Sequence, residues 1–452
     1  MYAQVQPATA PATTRPDYQM LRYEEDWSFL RDDNARSDIF DSWKYVSLPA
    51  RLGYLTIGGE ARERYEYFSE FAFGAGPQDD NGYALQRYLL NTDWHPIDRV
   101  RVFTQVQSGI ANGRNGGPRL TDDDRFELHQ AFVDFRLGDR HRSLTIRVGR
   151  HEMDFGAGRL ISSAEGLNVR RSFDGVRLIF KQSNWIANIQ VDKLTSVKPG
   201  VFNDSPDPAQ TFWGGGATRT RKGGAYEAAY YIGIDRKIAR FERGVGREIR
   251  HSIGFRSSGA FRRYDYGFDV IGQWGVFRPF SGEVPIRAAA LAADLGYNVA
   301  ELPMRPRFGA HVDLTSGDDP RKRTLRTFNP LFPATSYSDI IGLIGAPNST
   351  SINGTVRLML SRKIVVNNGV AAFFRRSRYD GVYGINVAPL RTGSLSRDRH
   401  VGTMPFTRWD WRASRHLSYT LMYAYFQRGL FLEQTPPGKS TQYLTVWGTF
   451  RF

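Results

Sequence analysis

A histidine and two carboxylates stand close together in the segment His151-Glu152-Met153-Asp154. Such a group could carry out acid–base catalysis or bind a metal ion. However, the sequence has no HExxH or GxSxG motif, its eight histidines are scattered, and it contains no cysteine. We therefore predict that the protein is not an enzyme and that it has no catalytic residue, no cofactor and no metal ligands.

Three further aspartates, Asp313, Asp318 and Asp319, lie around Gly317 and could bind a divalent cation. The ligand spacing of an EF-hand loop is absent. A network of salt bridges in a loop is the favoured interpretation, and cation binding is the alternative.

Two segments concentrate arginine, glycine and carboxylates: residues 147–160 (RVGRHEMDFGAGRL) and 168–177 (NVRRSFDGVR). The Gly156-Ala157-Gly158 sequence could suggest a phosphate loop, but no helix follows it to supply backbone amides. Arginines beside a few carboxylates can form a network that fixes the guanidinium groups while their remaining donors face a passage. The alternative, that these pairs only stiffen a wall, remains open.

The chain of 452 residues carries a formal net charge of +15, and nine of its 61 basic residues are lysines, so 52 are arginines. Arginine is the bidentate donor suited to carboxylates and phosphates. We expect an anionic partner, although an arginine-rich codon usage would explain the ratio equally well. Nucleic acid is discounted because basic residues interleave with acidic ones and form no patch.

The elements that must position these side chains are β-strands, because apolar and polar residues alternate from about residue 52 to the end of the chain. No apolar run approaches the ~20 residues of a membrane-spanning helix. The alternation is clearest in residues 52–67, 185–192, 304–316, 417–426 and 443–452.

The length of this pattern separates two all-β architectures. A soluble β-sandwich closes after roughly 100 residues per domain, with linkers between domains, whereas no linker interrupts this pattern. Strands of ~10 residues with their connections predict 16 to 20 strands. The fold class is therefore predicted as an all-β transmembrane antiparallel β-barrel, with its apolar face on lipid and its charged face around an aqueous lumen.

Connections and chain ends complete the predicted topology. Short connectors at 95–99, 138–142 and 413–416 are expected to be periplasmic turns, and the long segments 109–125, 152–174, 197–224, 315–349 and 428–440 are expected to be extracellular loops or pieces folded into the lumen. Residues 1–16 read as a disordered remnant left by signal-peptide removal. Residues 17–50 are predicted to be a periplasmic or lumen-facing segment, and residues 51–452 the barrel.

Five sequence motifs occur in order along the chain: VGRHEMDFGAGRL, EGLNVRRSFDGVRL, SGDDP followed by TFNPLFP and APN, RYDGVYG, and RHLSYTLMYAYFQRGLFL. Together they resemble the alginate export family of Gram-negative outer-membrane proteins, from about Arg22 to Phe452. The resemblance is to the broad family and not a close copy of the alginate exporter. It implies a monomeric barrel of 18 strands whose arginine-lined constriction passes an anionic polyuronate.

The resemblance also implies which residues line the pore and bind substrate. They are Arg62, Arg64, Arg150, Arg159, Arg170, Arg171, Arg177, Arg307 and Arg357, with Asp174 and Asp318 as organising carboxylates.

The expected function is an anion-selective channel that exports an acidic polysaccharide by passive diffusion. A porin for uptake of small organic or sugar acids is the alternative, and a barrel without an open pore is a third possibility. The expected partners are the anionic permeant, outer-membrane lipid and a periplasmic export complex.

Overall fold

The computed structural model describes residues 15–49, 52–139 and 141–452, without the side chain of Lys222. Eighteen antiparallel strands form one sheet, each paired with its neighbours in chain order. The strands are β1 Tyr54–Ser69, β2 Tyr83–Ile97, β3 Val100–Asn112, β4 Asp124–Gly138, β5 Arg142–His151, β6 Phe173–Gln182, β7 Trp185–Ser196, β8 Gln210–Thr220, β9 Tyr226–Phe241, β10 Gly244–Phe261, β11 Tyr264–Pro279, β12 Val284–Asn298, β13 Arg307–Thr315, β14 Ser349–Met359, β15 Ile364–Arg375, β16 His400–Arg412, β17 Leu417–Arg428 and β18 Thr441–Arg451.

The sheet closes on itself because β1 pairs with β18, from Glu60 opposite Arg451 to Ser69 opposite Gln442. A closed sheet leaves no unpaired strand edge, which is the condition for crossing a membrane with strands. The predicted transmembrane barrel of 18 strands is confirmed. Among the described residues, no helix is both long and apolar enough to span a bilayer.

The two faces of the barrel follow the alternation in the sequence. On β18, Leu444 and Val446 are 37% and 45% exposed on the outside, whereas Tyr443 and Thr445 are buried inside. Strand β7 repeats the pattern, with Ile189 65% exposed outside. Apolar side chains therefore form the outer surface, and polar side chains point into the lumen.

The barrel has a short-turn end and a long-loop end. At the short-turn end, two-residue connections join β2 to β3 and β6 to β7. At the long-loop end lie residues 70–82, 113–123, 152–172, 197–209, 316–348, 376–399 and 429–440. These loops contain short helices and strands: Phe71–Gly74, Ser205–Pro206, Val382–Tyr383, Pro389–Arg391, Gly393–Leu395 and Leu430–Glu433.

Most short turns and long loops therefore sit at opposite ends, as predicted, but the short connections 242–243 and 280–283 lie at the long-loop end. One predicted loop is wrong: residues 197–224 contain strand β8, and the 3₁₀ turn Lys222–Gly224 belongs to the short-turn end. Three consecutive glycines, Gly214 to Gly216, interrupt the alternation there and concealed the strand.

Residues 15–49 fold against the short-turn end and enter the lumen. They contain the 3₁₀ helices Arg22–Glu24, Ser28–Arg31 and Asp33–Ala35, the α-helix Asp41–Lys44 and the short strand Val46–Ser47, which pairs with β1. Tyr23 packs inside the barrel against Phe103 and Phe132 and donates a hydrogen bond of 2.8 Å to the Glu152 carbonyl. The predicted remnant 1–16 lies almost wholly outside the described residues, as does the predicted boundary between residues 50 and 51.

Candidate functional site

The lumen encloses a cavity of about 3760 Å³ that runs between strand side chains and folded loops. Residues 152–172, here called the crossing loop, extend from β5 into the lumen and back to β6. Residues 316–348, here called the covering loop, lie against it. The two loops narrow the barrel from within, which is how a wide barrel acquires a selective passage.

One end of the crossing loop is anchored by Glu165 on the wall formed by β18, β1 and β2. Its carboxylate lies 2.6 Å from the Arg87 guanidinium, 3.1 Å from Arg170, 3.9 Å from Arg451 and 4.0 Å from Arg62. Burial would raise the pKa of Glu165, but Arg87 and Arg170 outweigh this effect and hold that pKa below its usual value. The carboxylate is therefore ionised and neutralises part of the surrounding positive charge.

Backbone contacts reinforce the same anchor. Arg62 donates hydrogen bonds of 3.1 and 2.7 Å to the carbonyls of Glu165 and Leu167. Arg87 also pairs with Glu60 at 2.5 Å. The guanidinium planes are thereby fixed by several bonds each, a geometry that lysine cannot supply.

The other end of the crossing loop is anchored by Arg159 on the far wall. Its guanidinium lies 2.6 Å from Asp313 on β13 and 3.1 Å from Asp269 on β11, and it stacks on the Tyr337 ring of the covering loop with a centroid distance of 4.8 Å. Arg159 is 5% exposed. The crossing loop thus spans the lumen between two ionic anchors.

The covering loop is hydrogen-bonded to the crossing loop on both sides of Arg159. The amides of Phe332 and Ala334 donate to the carbonyls of Leu160 and Gly158 at 2.9 and 2.7 Å. Gly166 lies so close to the covering loop that a Cβ atom would be 2.1 Å from the Thr335 hydroxyl. The two loops therefore form one unit inside the barrel.

A second group of cations differs from these anchors. Arg177 and Lys181 on β6 and Arg357 on β14 line the cavity. In the part of the chain that the structure describes, none of the three lies within 4.0 Å of a carboxylate oxygen. Lys181 and Arg357 lie towards the short-turn end, one residue from Gln182 and two from Met359, whereas Arg177 lies near the middle of β6. They contribute positive charge that no neighbouring carboxylate pairs with.

Six of the predicted site residues line the cavity: Arg62, Arg64, Arg159, Arg177, Arg307 and Arg357. Arg64 pairs with Glu66, and Arg307 pairs with Asp265 at 2.5 Å. Whether any of the six binds a permeant remains a prediction.

The other five predicted residues are not among those that line the cavity. Arg150 pairs with Asp174 at 2.9 Å, Asp318 pairs with Arg243 at 2.7 Å, and Arg170 pairs with Glu152. Arg171 donates to the carbonyls of Ser162 and Pro333, and burial lowers its pKa to about 10.

The histidine and carboxylates of the segment 151–154 point to different partners. Glu152 contacts His129 at 2.7 Å, Asp154 accepts a hydrogen bond of 2.8 Å from Ser163, and the His151 ring bonds to the Gly149 carbonyl. Asp313, Asp318 and Asp319 likewise pair with Arg159, Arg243 and Arg321. These side chains serve the loop network.

Sequence reasoning missed Arg87, Arg451 and Lys181. Arg87 points into the lumen from β2, but the same face of that strand also carries Leu85 and Leu89, which are buried inside the barrel. Neither face of β2 was therefore recognisably polar in the sequence. Lys181 lies on the same face of β6 as Arg177, and this alternation could have predicted that Lys181 points into the lumen.

Comparisons with known proteins agree with this geometry. A family model described as alginate export matches residues 53–446. No protein of curated function matches the chain. The barrel is similar to the crystal structure of Pseudomonas aeruginosa OccK2 (OpdF) in complex with glucuronate, at 10% identity and a TM-score of 0.57, covering 88% of this chain and 96% of that chain.

Two further solved structures have the same fold. The outer membrane protein OpdK from Pseudomonas aeruginosa is 9% identical with a TM-score of 0.59, covering 88% of this chain and 98% of that chain. Acinetobacter baumannii OccAB1 is 12% identical with a TM-score of 0.57, covering 88% and 96%. The chain therefore belongs to the alginate export family, and its fold is that of outer-membrane channels.

Proposed function

We propose that the protein is an anion-selective channel that exports an acidic polysaccharide by passive diffusion. The observation that supports this most is the set of unpaired cations, Arg177, Lys181 and Arg357, on the lumen wall. Lys181 and Arg357 lie towards the short-turn end, the periplasmic side from which an exported polymer would enter, and Arg177 lies near the middle of its strand. Strands β6 and β14 stand eight strands apart in a barrel of 18, so the cations face the passage from nearly opposite walls.

The arrangement suits movement more than tight binding. Arg177 and Lys181 point inward from one strand, separated by about 13 Å at 3.3 Å per residue. Several weak cationic sites lower the electrostatic cost of an anion and still allow it to leave each site. Neighbouring carboxylates neutralise Arg159 and Arg170 of the crossing loop, so these arginines would shape the passage while the unpaired cations attract the permeant. The protein is proposed to act as a monomer.

Uptake of small organic or sugar acids is the second candidate. One observation favours it: the crossing loop is anchored on both walls and narrows the lumen. A narrow passage suits single acids better than a polymer. Two channels of the same fold were crystallised with such molecules, OccK2 with glucuronate and OpdK with vanillate.

Reversal potentials in planar bilayers test whether the three unpaired cations make the channel anion-selective. A unit charge about 8 Å from a permeant in water is worth roughly 0.5 kcal/mol, or about twofold in permeability. Arg177→Gln combined with Lys181→Gln should therefore lower the anion-to-cation permeability ratio about fourfold, and Arg357→Gln about twofold. The matched control is Arg247→Gln, an exposed arginine paired with Asp235, which should leave the ratio unchanged. An unaltered ratio in the double variant would reject anion selection by these side chains.

Blocking experiments separate the two candidates. Wild-type current blocked by polyuronate but not by free glucuronate would support export of the polymer. Block by monomers alone would favour uptake of small acids. A refolded barrel without conductance would contradict both.

A further inference from the structure

Three carboxylates from two separate segments meet near the long-loop end of the barrel. Asp124 and Glu127 belong to the start of β4, and Asp204 belongs to the loop of residues 197–209. One oxygen atom from each lies within 4.8 Å of the others. The cluster lies outside the anchors of the crossing loop, and neither the sequence motifs nor the proposed function assigns it a role.

The loop that carries Asp204 is docked on β4 by its backbone. The amides of Phe126 and Phe202 exchange hydrogen bonds with the carbonyls of Gly200 and Phe126, at 3.3 and 3.0 Å. The Glu127 carboxylate accepts hydrogen bonds from the amides of Asn203 and Asp204 at 2.7 and 3.0 Å. These contacts hold the two segments, and hence the three carboxylates, in one place.

Positive charge around the cluster does not match the negative charge. Asp124 is only 1% exposed, and its Oδ1 atom has no hydrogen-bond donor among the described residues. Among the described residues, Arg150 is the one cationic side chain within 4.0 Å of these carboxylates; it stands 3.9 Å from Glu127 and is already paired with Asp174 at 2.9 Å. Burying a carboxylate beside two others is costly unless a cation compensates.

We propose that Asp124, Glu127 and Asp204 bind one divalent cation of the calcium type. Carboxylate oxygens are the ligands that calcium prefers, at 2.3–2.6 Å, and oxygens within 4.8 Å of one another can all reach such an ion. The orphaned Asp124 oxygen becomes a ligand, and water completes the coordination. The bound ion fastens residues 197–209 to β4, because its ligands come from both segments.

Calcium titration calorimetry tests the site on the full chain, refolded in lipopolysaccharide-free detergent and treated with a chelator. We expect one calcium ion per chain with a dissociation constant of about 10⁻⁴–10⁻³ M, the range of extracellular modules. Asp124→Asn and Asp204→Asn should each weaken binding at least about tenfold. Asp80→Asn, which replaces an exposed aspartate on the neighbouring loop, should bind as the wild type does.

A second measurement needs only the wild-type protein and therefore does not depend on the folding of the variants. Amide hydrogen exchange at residues 197–204 of the wild type should slow when calcium is added, and exchange elsewhere in the loops should not change. A wild-type protein that binds no calcium, Asn variants that bind it with wild-type affinity, or a preference for magnesium would each overturn the assignment.

Discussion

The lumen contains two kinds of cationic side chain, and their surroundings differ. Arg159 and Arg170 in the crossing loop are buried and held by carboxylates. Arg177 and Lys181 on β6, only a few residues further along the chain, have no such partner among the described residues. The number of arginines in a lumen therefore does not give its effective charge, because arginines paired with carboxylates are neutralised and hold the loops in place.

The energetic reason lies in desolvation. A buried guanidinium is tolerated when carboxylates surround it, and removal of one partner leaves an uncompensated charge. A cation that stays in contact with the aqueous cavity has a smaller desolvation cost, and its positive charge remains available to attract an anionic permeant. The comparison therefore predicts that substitutions in the first group change stability and those in the second change selectivity.

The largest expected effect is on Arg159. Arg159→Met takes the guanidinium away from the buried Asp313, which keeps its contact with His311, and from the buried Asp269, which keeps its contact with Arg256, and we expect a loss of about 3 kcal/mol in the free energy of unfolding. Urea unfolding of the refolded barrel in vesicles measures this value. Arg263→Met removes an exposed pair with Glu301 and should cost far less. Equal losses in the two variants would contradict the distinction between the groups.

A smaller effect is expected at the other anchor. Glu165→Gln removes one negative charge from among four arginines, so the lumen should become about twofold more anion-selective in reversal-potential measurements. Glu63→Gln, on the outer face of the same wall, is the matched control.

The ionisation of Glu165 adds a pH test. Because the folded pKa of Glu165 is depressed, its contribution to stability is present above the unfolded value of about 4.5 and is lost as pH falls through the lower folded pKa. Wild-type selectivity should therefore stay constant from about pH 7 to about pH 5. A shift towards the Glu165→Gln value within that window would show that the anchor titrates there.

A further prediction concerns Lys44, a buried cation in the segment that folds against the short-turn end. Burial, with help from Arg22, lowers the pKa of Lys44 to about 7. An undocked lysine keeps its proton up to about pH 10.5, so docking of residues 15–49 should strengthen as pH rises from about 7 towards 10.5. Protease sensitivity of this segment measures the effect.

Lys44→Met should abolish that pH dependence, because methionine fills the space without a proton to lose. Lys363→Met replaces an exposed lysine and should retain it. The same slope in the Lys44→Met protein would assign the dependence to another group.

Much of the fold follows from the sequence alone. Alternation with a period of two places each side chain inside or outside, and Tyr443 and Leu444 on β18 lie as that rule requires. The rule failed at β8, where glycines carry no side chain to mark either face.

The site was less predictable for a different physical reason. Alternation places Arg62 and Arg64 inside the barrel, but it does not tell which carboxylate each will meet. Arg64 meets Glu66 on its own strand, whereas Arg62 meets Glu165 of the crossing loop, whose path is set by tertiary contacts. The crossing loop therefore could be located in the sequence, while its two anchors could not.

The seam between the first and last strands has a consequence for assembly. The Arg22 guanidinium donates to the Phe452 carbonyl at 2.7 Å and to the Gly59 carbonyl at 3.1 Å, and the Tyr18 hydroxyl bonds to His416. Residues 15–49 precede the barrel in the chain, yet these docking partners include Phe452, which follows the last strand β18. The segment can adopt its docked position only after β1 has paired with β18. A docked segment therefore indicates that the barrel has closed.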